Sequence, residues 1–160
     1  MAIRNCFFLP TLEISVEFPT WCEILHNKVD QAVAVAVKAH AGQIDKGGQP
    51  YILHPLRLML KFKTKNEMIV AVLHDVIEDS FVTYRDLSYF GFTQAARDAI
   101  ACLTRVKGES YDDFILRISK NNLATKIKIE DLKDNMDISR LKKANPKDLA
   151  RVEKYRKALE

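Results

Sequence analysis

Ile69-Val70-Ala71-Val72-Leu73-His74-Asp75-Val76-Ile77-Glu78-Asp79 sets four ionisable side chains into an otherwise apolar run. A carboxylate buried without a partner beside Val, Leu and Ile is strongly destabilised, or it takes up a proton. A bound cation removes that penalty. Read as one helix, the run puts His74 and Glu78 on one face and Asp75 and Asp79 on the adjacent one. All four then share one side of the helix, which suits a metal site with an acid/base pair one turn further on.

Around this run the chain reads as a series of helices. Apolar residues recur at helical spacing from Thr20 to Ala41, and Gly42 ends that stretch. Residues 43–51 hold Gly47, Gly48 and Pro50 and form a loop. His54-Pro55 opens the next helix, with proline in the first turn. Thr64-Lys65-Asn66-Glu67 is a capping box for the helix that carries His74. Thr83 with Asp86, Ser110 with Asp113, and Asn145 with Asp148 are further start signals. Gly91 and Gly108 separate helices, and Leu123 to Ile138 forms another. The expected fold is all-α: a single bundle of about seven to nine helices over residues 20–160, preceded by an N-terminal arm, residues 1–19, of unreadable role.

Composition narrows the function classes. With 160 residues, 48% of them hydrophobic, the chain makes one ordinary domain with one core. No stretch approaches the roughly 18 apolar residues of a membrane span. Cys6 to Leu9 is too short for a signal-peptide core. The three cysteines, Cys6, Cys22 and Cys102, are widely spaced and form no CxxC pair, which points to reduced thiols and a cytoplasmic protein. A net charge of +4 favours an anionic ligand. The basic segment from Lys142 to Lys157 alternates with Asp148 and Glu153. Leu149, Val152 and Tyr155 recur in it at helical spacing, so it reads as an amphipathic helix with a solvated face rather than a nucleic-acid surface.

A metal needs ligands from several elements. His40, at the end of the first long helix, and Asp131, between Ile129 and Leu132, join His74 and Asp75 as candidates. Each has an ordinary reading when taken alone: His40 as a surface or capping residue, Asp131 as a solvated helix residue. Together they make two imidazoles and two carboxylates. Such mixed ligation suits a divalent ion, Mn²⁺ first, with Fe²⁺, Co²⁺ or Zn²⁺ as alternatives.

The ordered set resembles the HD-domain metal-dependent phosphohydrolases, and within them the hydrolase domain of RelA/SpoT-type alarmone enzymes. The matching stretches are His40-Ala41-Gly42-Gln43, Lys46 to Pro55 (KGGQPYILHP), Leu73 to Asp79 (LHDVIED), Leu103-Thr104-Arg105 and Lys128 to Met136 (KIEDLKDNM). The likeness runs from about Val29 to Leu159. It implies that His40, His74, Asp75 and Asp131 hold the metal, and that Glu78 and Asp79 orient or deprotonate the attacking water. It implies further that Lys46, His54 and Asn135 meet the substrate.

The implied reaction is hydrolysis of the 3′-pyrophosphate of guanosine tetraphosphate to GDP and pyrophosphate. Alternatives are an HD-type phosphohydrolase acting on the 2′-phosphate of NADPH or on a nucleoside 5′-phosphate, or a non-catalytic module binding metal and nucleotide. Ile44-Asp45-Lys46 departs from the Arg-Lys pair common in alarmone hydrolases, and Asp137 stands where an arginine is usual. The chain ends at Glu160, so hydrolysis without synthesis is expected. Oligomeric state is not legible.

Overall fold

A computed structural model gives the fold and describes residues 27–141 and 144–160. The N-terminal arm, Trp21 and the start of the first long helix lie outside the described residues. The described helices are α1 (Lys28–Ala39), α2 (Leu53–Met59), α3 (Lys65–Leu73), α4 (Val76–Asp79), α5 (Tyr84–Tyr89), α6 (Gln94–Leu103), α7 (Tyr111–Ser119), α8 (Asn122–Met136) and α9 (Pro146–Lys157). A single 3-10 turn, Ile138–Arg140, follows α8. Among the described residues the fold is all-α. Its extended pairing is confined to one isolated antiparallel bridge, Ile44 to Pro50, inside the 43–51 loop.

Helix starts coincide with the capping signals. Thr64 and Glu67 bond each other reciprocally at the head of α3, Thr83 and Asp86 do so at α5, and Asn145 and Asp148 at α9. Gly42, Gly91 and Gly108 adopt positive φ, with values of 77°, 70° and 85°, which glycine reaches without a Cβ clash. The helix expected over Leu123 to Ile138 runs from Asn122 to Met136.

Helix α3 is the centre of the bundle and packs against α1, α2, α6 and α8. Val70, Ala71, Val72 and Leu73 are fully buried, so the helix is covered on all sides. Ala32, Val35 and Ala36 of α1, Leu58 of α2, Ile100 of α6 and Ile127 of α8 complete the core.

One expectation is corrected. The run from Ile69 to Asp79 is two helices, with His74 and Asp75 in a turn between α3 and α4. His74 keeps helical angles, but Asp75 sits at φ −103° and ψ −4°, where the helical ladder opens. The His74 ring bonds the Ala71 carbonyl at 2.8 Å, and the ladder resumes with the Asp79 N–H on the Asp75 carbonyl at 2.9 Å. The break aims His74 inward while leaving Glu78 and Asp79 exposed.

Ile100→Ala, on the α6 face that meets α3, is expected to cost about 2–5 kcal/mol through lost burial and a residual cavity. Urea denaturation measures it, and a loss below about 1 kcal/mol would show that the site collapses around the smaller side chain.

Candidate metal centre and active site

Three helices deliver the buried polar cluster. His54 comes from α2, His74 from the end of α3 and Asp131 from the middle of α8, and their exposures are only 4%, 2% and 3%. One donor atom from each lies within 4.8 Å of the others. His54 Nε2 is 3.2 Å from Asp131 Oδ1, and His74 Nε2 is 3.6 Å from that same oxygen. Asp75 Oδ2 adds a fourth donor, 2.9 Å from His74 Nε2 and 3.9 Å from His54 Nε2.

The outer hydrogen bonds decide which ring nitrogen faces this group. His74 Nδ1 donates to the Ala71 carbonyl at 2.8 Å, since a carbonyl can only accept. His54 Nδ1 donates to Asp134 Oδ2 at 2.7 Å, and Arg57 anchors that carboxylate with two contacts of 3.1 Å. Both Nε2 atoms therefore point at carboxylate oxygens. In a neutral imidazole those nitrogens carry lone pairs, and lone pairs repel carboxylates. Two ways out exist: a proton on each ring, or a cation between the donors.

Without a cation the protons win. Burial pulls the His74 imidazole down, yet the charges of Asp75 and Asp131 leave it well above the usual histidine range. Burial also pulls His54 down, and its bonds to Asp131 and Asp134 outweigh that pull. Burial pushes the Asp131 carboxyl up, but His54, His74 and Lys128 hold it well below the usual range. His74 Nε2 is buried and makes no hydrogen bond of acceptable geometry. Two imidazoles and two carboxylates, with ring tautomers set from outside, fit a divalent ion held by His54, His74, Asp75 and Asp131.

His40 lies outside the three-residue group. It is buried beside Tyr51, with ring centroids 4.9 Å apart. Its Nδ1 bonds Gln43 Oε1 at 2.8 Å, and Gln43 Nε2 donates to the Asp79 carbonyl at 2.8 Å. His40 thus braces the end of α4. Its Nε2 is buried and without a partner among the described residues.

Two adjoining cavities open onto the cluster. A polar one of about 270 Å³ is lined by Asp75, Glu78, Asp79, Asp131, Arg105, Lys128 and Lys154. A second, of about 350 Å³, is lined by Asp45, Lys46, His54, Asp137, Leu141 and Arg151. Tyr51, Asn135 and Tyr155 form the shared wall. Glu78 Oε2 accepts from the Arg105 backbone N–H at 3.1 Å. Burial, then the charges of Asp75 and Glu78, raise the Asp79 carboxyl above its ordinary value. Asn135 Nδ2 donates to Asp131 Oδ1 at 2.6 Å while also facing both cavities.

Several residues of the site were not singled out from sequence. Tyr51 O–H donates to Asp75 Oδ2 at 2.5 Å. Lys128 Nζ sits 2.8 Å from Asp131 Oδ2. Lys154 lies over the Tyr111 ring at 3.9 Å, and burial together with Arg105 and Lys128 lowers its pKa. The available signal was helical phase, because Lys128, Asp131 and Asp134 are three apart on α8. The two departing acids have local partners. Asp45 Oδ1 accepts from the Gly47 and Gln49 N–H groups at 2.8 and 2.9 Å, and Asp137 Oδ1 caps Ser139 at 3.0 Å.

No protein-family model matches the chain. It is 33% identical over 120 residues to a guanosine-3′,5′-bis(diphosphate) 3′-pyrophosphohydrolase of Vibrio cholerae, covering 66% of this chain and 17% of that protein. It is 32% identical over 124 residues to the bifunctional (p)ppGpp synthase/hydrolase SpoT of Escherichia coli, covering 69% and 18%. The chain resembles the RelA/SpoT-type HD hydrolase domain. It spans less than a fifth of these relatives, so the RelA/SpoT likeness concerns one segment of them. A solved structure described as a metazoan ortholog of SpoT that hydrolyzes ppGpp shares the RelA/SpoT-type fold. Its TM-score is 0.61 at 17% identity, over 81% of this chain and 94% of that one.

Metal binding is expected to release protons from His54 and His74, so affinity rises with pH as the raised imidazoles lose their protons. Calorimetry in two buffers of different ionisation enthalpy counts those protons, and binding without release would remove both histidines from the ligand set. Asp134→Asn is expected to weaken metal binding about 10–100-fold by loosening the His54 ring, measured by competition with a chelator.

Proposed function

We propose that this chain is a metal-dependent hydrolase that cleaves the 3′-pyrophosphate of guanosine tetraphosphate to GDP and pyrophosphate. The observation that carries the reading is the junction of the His54–His74–Asp131 cluster with a polar cavity holding both an acid pair and three cations. The names of the sequence relatives favour the alarmone over other nucleotides.

The proposed ligands are His54, His74, Asp75 and Asp131. His54 is included because it lies 3.2 Å from Asp131, and His40, the ligand implied by the sequence resemblance, stays a candidate beside it, since Gln43 takes only its Nδ1 and its buried Nε2 has no partner among the described residues. A divalent ion in this donor set would acidify a water and polarise a phosphoryl oxygen. Mn²⁺ leads, with Fe²⁺, Co²⁺ and Zn²⁺ compatible with the same N/O donors. Glu78, held by the Arg105 N–H, accepts the proton of the attacking water. The water oxygen bonds to the phosphorus on the ribose 3′-oxygen, and the bond between that phosphorus and the 3′-oxygen breaks. Asp79, whose carboxyl is raised, is suited to return a proton to the departing 3′-oxygen. Arg105, Lys128 and Lys154 offset the charge of the pyrophosphoryl group. Lys46 lines the larger cavity, where the nucleoside fits against Tyr51, Asn135 and Tyr155. A cytoplasmic setting belongs to the same reading, supported by three widely spaced cysteines without a CxxC pair. The basic α9 turns Lys154 and Arg151 toward the cleft, which favours an anionic nucleotide over nucleic acid as its partner.

The test is purified protein with Mn²⁺ and guanosine tetraphosphate, with products resolved by anion exchange. Metal-dependent formation of GDP is expected; no product with one equivalent of bound metal would reject this substrate. Glu78→Gln is expected to keep the metal and lose turnover by about 10²–10⁴-fold. Full activity in that variant would assign the proton to another group.

A further inference from the structure

Glu78 accepts a backbone hydrogen bond from a loop, residues 104–110, whose far side is tied down by the helix that follows. It follows α6, contains Gly108 at φ 85° and presents Val106 at 59% exposure. One side chain, Arg117 of α7, grips it from behind. Arg117 Nε and Nη2 each lie 2.7 Å from an oxygen of Glu109. Nη1 donates to the carbonyls of Ala101 and Cys102 at 3.2 and 3.0 Å, and Nη2 to that of Thr104 at 3.0 Å. All three guanidinium nitrogens are engaged, tying the end of α6 to the far side of the loop. Glu109 passes the restraint on: its Oε2 accepts from the Val106 N–H at 3.3 Å, and its backbone carbonyl accepts from Arg105 Nη2 at 2.9 Å. The fork of Arg117 holds the Glu109 carboxyl down to about 2, so the pair stays ionised at neutral pH. Between these anchors the Arg105 N–H meets Glu78 Oε2 at 3.1 Å.

We propose that Arg117 is a positioning residue for the acid pair: by gripping Glu109 and the end of α6, it fixes the Arg105 N–H that orients the Glu78 carboxylate. Arg117 does not line the cavity that holds Glu78, so its effect passes through the loop. A lysine cannot replace it, because one ammonium cannot serve the carboxylate fork and three carbonyls at once. A purely structural role, closing the open carbonyls at the end of α6, predicts lost stability alone. The positioning role rests on the reading of Glu78 as proton acceptor and predicts coupling to Glu78.

Two measurements on the full chain decide it. The Arg105 amide is expected to exchange about tenfold faster with solvent in Arg117→Lys than in the wild type, while α3 and α8 amides keep their protection. In turnover, Arg117→Lys is expected to lower kcat about tenfold with metal stoichiometry intact. The double variant with Glu78→Gln should be no more than about threefold slower than Glu78→Gln alone. Unchanged Arg105 exchange, or effects that multiply in the double variant, would overturn the proposal. A wild-type protein inactive on guanosine tetraphosphate would strike the functional reading, and the amide exchange would still decide the positioning. Where Arg117→Lys fails to fold, Glu109→Gln loosens the same grip and takes its place.

Discussion

Two buried imidazole nitrogens pointed at two carboxylates are the constraint around which this structure is organised. Asp131 is 3% exposed, in the middle of α8, and its Oδ1 lies within 3.6 Å of both His54 Nε2 and His74 Nε2. That arrangement is unfavourable unless positive charge stands between the partners. Lys128 supplies one charge, 2.8 Å from the other Asp131 oxygen, but two carboxylates face the histidines. The remaining deficit is met by protons on the rings or by a divalent ion. The buried cluster is therefore a possible site for a divalent ion.

The apolar framework holds the cluster in place. Helix α3 is covered on all sides and cannot rotate without exposing Val70, Val72 or Leu73. His74 follows its last residue and Asp131 lies on a helix packed against it, so core packing sets the spacing of the donors. The outer bonds finish the work. Ala71 and Asp134 each take one ring N–H, which leaves a single nitrogen per histidine for a cation. Tyr51 and Asn135 hold the carboxylates from the cleft side, donating to Asp75 Oδ2 and Asp131 Oδ1, the oxygens that face the histidines.

The polar cavity carries both signs of charge. Asp75, Glu78, Asp79 and Asp131 line it together with Arg105, Lys128 and Lys154. Acid and base are interleaved there, with Lys128 2.8 Å from Asp131 and the Arg105 N–H 3.1 Å from Glu78. The two acids that depart from the alarmone hydrolase pattern are engaged locally. Asp45 and Asp137 direct an oxygen to nearby backbone N–H groups, so part of each acid's hydrogen-bonding capacity goes to holding the loops at the rim of the larger cavity.

Much of this was legible in the chain itself. The capping boxes at Thr64, Thr83 and Asn145 and the glycines at 42, 91 and 108 set the helix boundaries, because those signals act over a few residues. The oddity of His74 and Asp75 inside an apolar run marked the site, because charge beside apolar neighbours needs a compensating partner wherever the chain buries it. The turn that splits that run was not legible. A helical period continues across it, and only the opening of the ladder at Asp75 separates α3 from α4. Nor was the contact between His54 and Asp131 legible. His40 and His54 both precede the His74–Asp75 pair and both are buried, and only the folded chain places His54 Nε2 3.2 Å from Asp131. That contact is made by the packing of α2 against α8, between segments some 80 positions apart that no local pattern records.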